Sequence, residues 1–383
     1  MKLKLSTGLL SLTAASLLTL AGTASAVAPI KMRWASDHSG PPHPAAIAEV
    51  YFAEKLEEKV PGSKVQIYWA KSLYTIPQGV KALTQGNLEM LTGQFGKTAS
   101  AEPYANVMLG AGKLTTPGAI GKLDTTLTYK AVADLMSKKH QITLLASGDM
   151  SMFMGIGGTK GRYVSPNDFK GSKVRSMGPA ENALLSSLGA NPQAMAFGEV
   201  PSALQTGVID GLLTSLGGFN AVKEQAPYFT VAGLNGLVGD YYWFGASQKW
   251  WNRLSKAQQA AVSEVFYNDF LPFQRAINFC ADQRIVKQYQ TTDKNAPGIY
   301  IMTPEEAAQI KSAEGGATNE WIRSKVDEKG AKLVNAFELE AAQLVAENPI
   351  GSSAVEKVDC SQFDKVFARY GKGGELTGKK ERK

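Results

Sequence analysis

An arginine stands at the centre of the short, half-apolar run Phe169 to Gly178, FKGSKVRSMG. In an extended segment, alternation puts Lys173, Arg175 and Met177 on one face and Val174 and Ser176 on the other. A guanidinium fork on such a face can grip a carboxylate through two parallel hydrogen bonds, a geometry lysine does not match. It can equally point into water or pair with a nearby acid such as Asp168. Spacing alone leaves both open.

Other chemistry is poorly supplied. Gly93-Gln94-Phe95-Gly96-Lys97-Thr98 ends like a phosphate loop, but Leu91 stands where the cradle needs its first glycine. The run Gly155 to Gly161, GIGGTKG, resembles a dinucleotide fingerprint, yet RYVSPNDFKG after it reads as loop, not as the helix that would hold a pyrophosphate. There is no G-x-S-x-G elbow and no H-E-x-x-H, and the three histidines His38, His43 and His140 form no ligand spacing. No metal, cofactor or catalytic nucleophile is therefore expected. An enzyme acting on a small organic acid stays as the alternative, with Glu199 or Asp210 as its catalytic carboxylate. Each also has an ordinary explanation, as a charge at a helix N-terminus and as a turn residue.

The elements that would position Arg175 can be read from hydropathy. MKLKLSTGLLSLTAASLLTLAGTASA has two early lysines, an apolar run and a final Ala24-Ser25-Ala26, the pattern of a cleavable secretory leader that would leave a mature start at Val27. The chain is then expected outside the cytoplasmic membrane, in a periplasm. Its 383 residues, 44% of them hydrophobic, suffice for two domains at roughly 100–200 residues each. The formal net charge is +7, of which Lys2 and Lys4 supply two. Without clustered Lys/Arg this excludes nucleic acid as an expected partner. Cys280 and Cys360 can form one disulfide in an oxidising compartment or remain two buried thiols.

From Ile30 onward IKMRWAS, KVQIYWA and LEMLTG read as strands, separated by helices at His43–Val60 and Pro77–Gln85, the latter closed by Gly86. A second series starts near Ser151: SKVRSM, a helix Ala180–Leu188 stopped by Gly189, QAMAF, a helix Glu199–Thr206 ending at Gly207, then VIDG. Such alternation indicates α/β units with parallel sheets. Two of them imply two domains with a cleft between, where ligand sites usually form. Leu254–Gln290 has helical spacing interrupted at Pro272, where a kink or break is expected. Thr303-Pro304-Glu305-Glu306 has the composition of a capping box. The end, GKGGELTGKKERK, reads as a basic tail over 371–383.

At this point the residues resemble a known family. FKGSKVRSMGPAENALLSSLGANPQAMAFGEVPSALQTGVIDG is similar to the central region of the solute-binding proteins of TRAP transporters, the DctP type. In that pattern a G-x-K-x-R strand (Gly171, Lys173, Arg175) precedes L-G-A-x-P (Leu188, Gly189, Ala190, Pro192). E-V-x-x-A-L-Q-x-G-x-x-D-G then follows (Glu199, Val200, Ala203, Leu204, Gln205, Gly207, Asp210, Gly211). The likeness runs from Ile30 to about Trp321. It implies a two-domain α/β periplasmic binding protein of the Venus flytrap type, with a long helix spanning both domains. Such a protein is a transport component and not an enzyme. It would capture an organic acid, with Arg175 on the carboxylate, and deliver it as a monomer to membrane permease subunits.

The domains are expected at 27–150 with about 240–275, and at 151–239 with about 276–370. The chain departs from the pattern after Asp210-Gly211, where Leu212-Leu213-Thr214-Ser215 leaves Thr214 and Ser215 as the polar site candidates. MFMGIGG lacks the second arginine that members often carry, and Arg162 and Lys160 fall too late to match it. Trp34, Gln94, Phe95, Phe153 and Phe219 are expected to line the cleft with Arg175, together with Met152 and the run Tyr241–Phe244. That set leans the expected ligand toward a monocarboxylate with an apolar or aromatic body.

Overall fold

The computed structural model describes residues 27–109, 114–149, 151, 154–231 and 241–371. The leader, most of the basic tail, Met152 and Phe153 lie outside the described residues. Among the described residues, eleven strands form two sheets. The first holds β1 (Lys31–Ser36), β2 (Lys64–Tyr68), β3 (Met90–Gln94), β4 (Ile142–Asp149) and β10 (Tyr241–Ser247) in the order β2-β1-β3-β10-β4. The second holds β5 (Met154–Gly158), β6 (Lys173–Ser176), β7 (Asn191–Ala194), β8 (Gly211–Ser215), β9 (Tyr228–Val231) and β11 (Gly298–Ile301) in the order β11-β9-β5-β8-β6-β7. β1 is parallel to β2 and β3, and β6 is parallel to β7 and β8. Those pairs are the βαβ units read from the sequence. β10 instead lies antiparallel between β3 and β4, and β5 antiparallel between β8 and β9. The chain therefore crosses between the two α/β lobes more than once.

Local chemistry explains the helix ends. The helix Ile76–Gln85 has Pro77 in its first turn and stops where Gly86 turns left-handed at φ +79°. Pro179–Ser187 stops in the same way, with Gly189 at φ +86°, a conformation that is inexpensive only for glycine. Thr303 caps Pro304–Glu314 and completes a capping box with Glu306. The glycines of β5 have a packing reason rather than a nucleotide one. A Cβ on Gly155 would lie 2.3 Å from the Thr230 carbonyl oxygen, so only glycine lets β5 lie against β9 here.

A helical rod runs without a break from Lys256 to Tyr289. Pro272 does not interrupt it. The turn before it, Val265–Phe270, is a π-helix in which the Leu271 N–H reaches back five residues to the Phe266 carbonyl. Such a wide turn accommodates the missing N–H of Pro272, so the expected kink is replaced by a local change of pitch. The rod packs on the first-lobe helix Pro44–Lys59 and on the second-lobe helix Leu216–Val222. A disulfide joins its Cys280 to Cys360 and ties the C-terminal segment to it.

The helix Glu328–Glu347, expected with the second lobe, packs against Pro103–Leu109, Pro117–Ile120 and Leu127–His140 of the first. Val334, Phe337, Ala341 and Leu344 recur at helical spacing and merge with the first-lobe core.

Candidate functional site

In an open α/β sheet a crevice forms beyond the carboxyl ends of neighbouring parallel strands whose crossovers leave in opposite directions. The first lobe has that point between β1 and β3, and the second between β6 and β8. The residues just past these ends are Asp37, Gly96 and Lys97 on one side and Met177 and Gly178 on the other. They line a common cavity of about 440 Å³ between the lobes. Its wall is completed by Lys71, Thr75, Asn106, Trp321 and Lys325, among others. This is the size of a pocket for a small molecule.

The second-lobe wall of this cavity is Met177, Gly178 and Pro179; Arg175 lies two residues before Met177 and does not itself line it. β6 is hydrogen-bonded between β8 and β7, and its Arg175 is only 3% exposed. Its Nε donates to the Met195 carbonyl at 3.1 Å and its Nη1 to the Leu213 carbonyl at 2.9 Å. The Phe197 ring lies 5.9 Å from the guanidinium carbon. Two fixed acceptors and a ring hold the fork in one orientation, the preorganisation that carboxylate recognition requires. Asp168, the alternative partner, accepts instead from the Val164 and Ser165 N–H groups in its own turn.

Thr214 and Ser215 are both buried at the end of β8. Ser215 Oγ accepts the Gly218 N–H at 3.2 Å and caps the next helix. Thr214 Oγ1 would be 2.0 Å from a Cβ on Gly218, so that turn is closed tightly over the threonine.

The first-lobe wall was only partly anticipated. Gln94, at the end of β3, is buried and places its Nε2 3.9 Å from Met177 Sδ, across the lobe boundary. Asp37 carries a side chain only 2% exposed. Its Oδ2 takes the Lys97 ammonium at 2.5 Å and faces the Tyr242 hydroxyl at 3.4 Å. Behind it Glu49 is fully buried and collects donors: Ser36 Oγ at 2.7 Å and Thr92 Oγ1 at 2.8 Å on Oε1, and the Trp69 indole at 2.7 Å on Oε2. His38 Nδ1 lies 3.1 Å from the same Oε1, and since a carboxylate only accepts, that nitrogen carries the proton. The His43 ring stacks on His38 at 5.0 Å, and its Nε2 lies 4.0 Å from where a Cβ on Gly217 of the second lobe would be. Desolvation there, and then the neighbouring His38, lower the His43 pKa well below its ordinary value.

The expected aromatic lining is placed elsewhere. Trp34 is completely buried in the first-lobe core, edge-on to Phe52 and Phe270, with its indole N–H on Thr92 Oγ1 at 2.8 Å. Phe95 packs edge-on to Tyr129, and Phe219 stacks on Phe229 at 4.8 Å. Tyr241–Phe244 belong to β10 and are buried on both faces. These large apolar side chains went to packing, and the apolar residues that do line the cavity are others: Ile76, Pro77, Pro103, Met177, Pro179 and Trp321. Phe153 lies outside the described residues.

Arg162 is likewise spoken for: its fork holds the carbonyls of Phe229, Lys294, Ala296 and Gly298 beside β9 and β11. Glu199 is exposed in the first turn before Val200–Gln205, and Asp210 accepts the Lys173 N–H at 2.9 Å. No group of three or more metal-binding side chains occurs among the described residues. Asp37 and Lys97, which line the cavity, were missed as site residues, although Asp37 directly after the strand IKMRWAS was the available signal.

The model of bacterial extracellular solute-binding proteins, family 7 (DctP), matches residues 35–324. The chain belongs to this family. It is 25% identical over 232 residues to a solute-binding protein of Chromohalobacter salexigens, a match covering 59% of this chain and 67% of that one. It is 32% identical over 215 residues to the C4-dicarboxylate-binding periplasmic protein DctP of Rhodobacter capsulatus, covering 52% and 60% respectively.

The fold of this family 7 chain is shared with a TRAP periplasmic solute-binding protein of Desulfovibrio salexigens solved with orotic acid. The TM-score is 0.71 at 18% identity, over 82% of this chain and 99% of that one. It is also shared with the sugar acid binding protein DctPAm of Advenella mimigardefordensis solved with galactonate, at TM-score 0.70 and 21% identity, over 82% and 99%. The two-domain binding-protein architecture and the long helix expected from the sequence are thereby borne out. Members of the family are solute-binding transport proteins.

Proposed function

We propose that this protein captures a small organic acid between its lobes and delivers it to the membrane permease subunits of a TRAP-type transporter. It does so as a monomer in the periplasm, after removal of the leader at Ala26. The observation that carries this reading is Arg175: a buried guanidinium, oriented by the Met195 and Leu213 carbonyls, at the β6/β8 switch point two residues before the cavity-lining Met177. The open form admits the acid; its carboxylate meets the fork; contacts from Asp37, Gln94 and Lys97 across the gap then favour closure. Relatives and fold neighbours bind acids of this chemistry, among them C4-dicarboxylates, galactonate, orotic acid and, in a protein of Shewanella oneidensis, succinate.

Mass spectrometry of the small molecule that co-purifies with the protein tests the reading directly, supported by a thermal-shift screen of mono- and dicarboxylates. Recovery of an organic acid that raises the melting temperature and is returned unaltered supports capture. Chemical conversion of the acid, or no response to any acid, overturns it.

A further inference from the structure

The chain crosses the lobe boundary once more beside the cavity, well away from the rod in sequence. Helix Ala317–Arg323 packs on the second-lobe helix Pro179–Ser187, and the next helix, Glu328–Glu347, is seated in the first lobe. Only the four residues Ser324 to Asp327 separate them. Trp321 and Lys325 of this corner line the cavity.

The first-lobe end of the corner is fixed. Asp327 caps Glu328–Glu347 by accepting the Gly330 N–H at 2.9 Å, and it also accepts the Tyr104 hydroxyl of the first lobe. Val326 folds back over the same turn, so closely that a Cβ on Gly330 would lie 2.5 Å from the Val326 Cβ. A polar cluster then ties the two helices together across the boundary. Arg323 donates to Asn335 Oδ1 from Nη2 at 2.6 Å and from Nε at 3.2 Å, and Asn319 Nδ2 donates to Glu338 Oε1. The Arg323–Glu338 ion pair, 3.8 Å apart and more than a third exposed on both sides, adds little by itself. Asn335 and Glu338 lie past residue 324, where the match to family 7 ends.

These bonds are made while the lobes touch: Gln94 Nε2 is 3.9 Å from Met177 Sδ, and His43 Nε2 is 4.0 Å from the Cβ position of Gly217. Asn319 and Arg323 ride with the second lobe, Asn335 and Glu338 with the first. Asn319 stands seven residues before Val326, about 10 Å of helix, so a rotation of about 20° at the corner carries it some 3–4 Å. That is enough to part a hydrogen bond. Separating the lobes therefore breaks bonds that touching lobes keep, which is the condition for a contact to bias a two-state equilibrium.

We propose that this corner is a latch on the cleft, in which Glu338, with Asn319, Arg323 and Asn335, is a positioning residue that favours the arrangement with the lobes in contact without itself touching the cavity. The proposal rests on the reading that an acid is captured between the lobes, because only then does the bias serve binding. Its test needs no acid, so the two fail separately.

The experiment is a pulsed electron-resonance distance measurement on the ligand-stripped full chain. Spin labels sit on Glu57→Cys in the first lobe and Gln205→Cys in the second, both exposed, and the native cysteines are paired and take no label. The wild type should show a short-distance population. Glu338→Ala should raise the ratio of long to short distances about 2- to 10-fold, the worth of one net hydrogen bond, and Arg323→Glu, which sets two acids against each other, at least as much. Arg323→Glu combined with Glu338→Arg should return the ratio to within about twofold of wild type, since the amides of Asn319 and Asn335 can donate or accept. A purely structural role predicts no such reciprocal rescue. Glu338→Gln, which keeps an acceptor for Asn319, should fall between wild type and Glu338→Ala and guards against a fold defect. An unchanged ratio in Glu338→Ala, a wild type with no short-distance population, or a double variant more open than either single one overturns the latch.

Discussion

Replacing Arg175 by alanine removes three things at once, and their magnitudes can be separated. The first is the charge-assisted grip on a desolvated ligand carboxylate, about 2–5 kcal/mol, hence roughly 30-fold to a few thousand-fold in affinity. The other two are the bonds to the Met195 and Leu213 carbonyls, whose loss leaves two acceptors unpaired beside a strand-wide hole. Each unpaired acceptor costs about 1–3 kcal/mol of folding stability whether or not ligand is present. A fall in melting temperature of the ligand-free protein therefore reports the scaffold. A fall in affinity at a temperature where both variants are folded reports the ligand.

Lysine keeps a charge but not the planar fork, so Arg175→Lys should recover only part of the affinity. The assay is calorimetric titration with the co-purified acid, alongside scanning calorimetry of the stripped protein. An Arg175→Ala variant that loses stability yet binds with wild-type affinity would refute the reasoning, because the arginine would then be a strand clamp and nothing more.

Three further outcomes are expected. Cys360→Ser opens a loop with a sequence separation of 80, which on chain-entropy grounds removes about 4 kcal/mol of stability; reversible denaturant unfolding should show that loss with ligand affinity unchanged, and an unaltered midpoint would contradict it. Gly155→Ala drives a Cβ to within 2.3 Å of the Thr230 carbonyl and should cost about 2–3 kcal/mol, read as a lower melting temperature.

The third concerns pH. Burial lowers the His43 pKa, so the unfolded chain takes up a proton that the folded one resists. The stabilisation is present above the unfolded histidine value of about 6.5 and is lost as pH falls toward the folded one. Folding stability should weaken between pH 7 and pH 5, read as a lower melting temperature, and His43→Asn should flatten that slope; an identical slope in the variant counts against it.

The parallel units were legible because each is a local pattern: a run such as KVQIY, a helix with a capping residue, a glycine stop. β10 was not. YYWFGAS is apolar on both faces, and only its pairing with β3 and β4, far away in the chain, makes it a central strand. The same divide runs through the site. Arg175 announces itself as a charge inside an apolar strand, whereas Asp37 and Lys97 look like ordinary loop and helix residues until topology brings two strand ends together. Trp34 and Phe219 show the reverse error. Their type suggested a lining, but packing had the stronger claim on them.

The π-turn at Val265–Phe270 has a geometric effect on the long rod. An α-helix advances about 100° per residue, so a turn one residue wider swings everything downstream around the axis by about that angle. The half after the bulge packs on both Pro44–Lys59 of the first lobe and Leu216–Val222 of the second, so its rotation about the axis sets how both lobes seat on the rod. Deleting a single residue here would restore ordinary pitch and misalign the two halves of the clamp, even though every side chain that touches ligand would still be present.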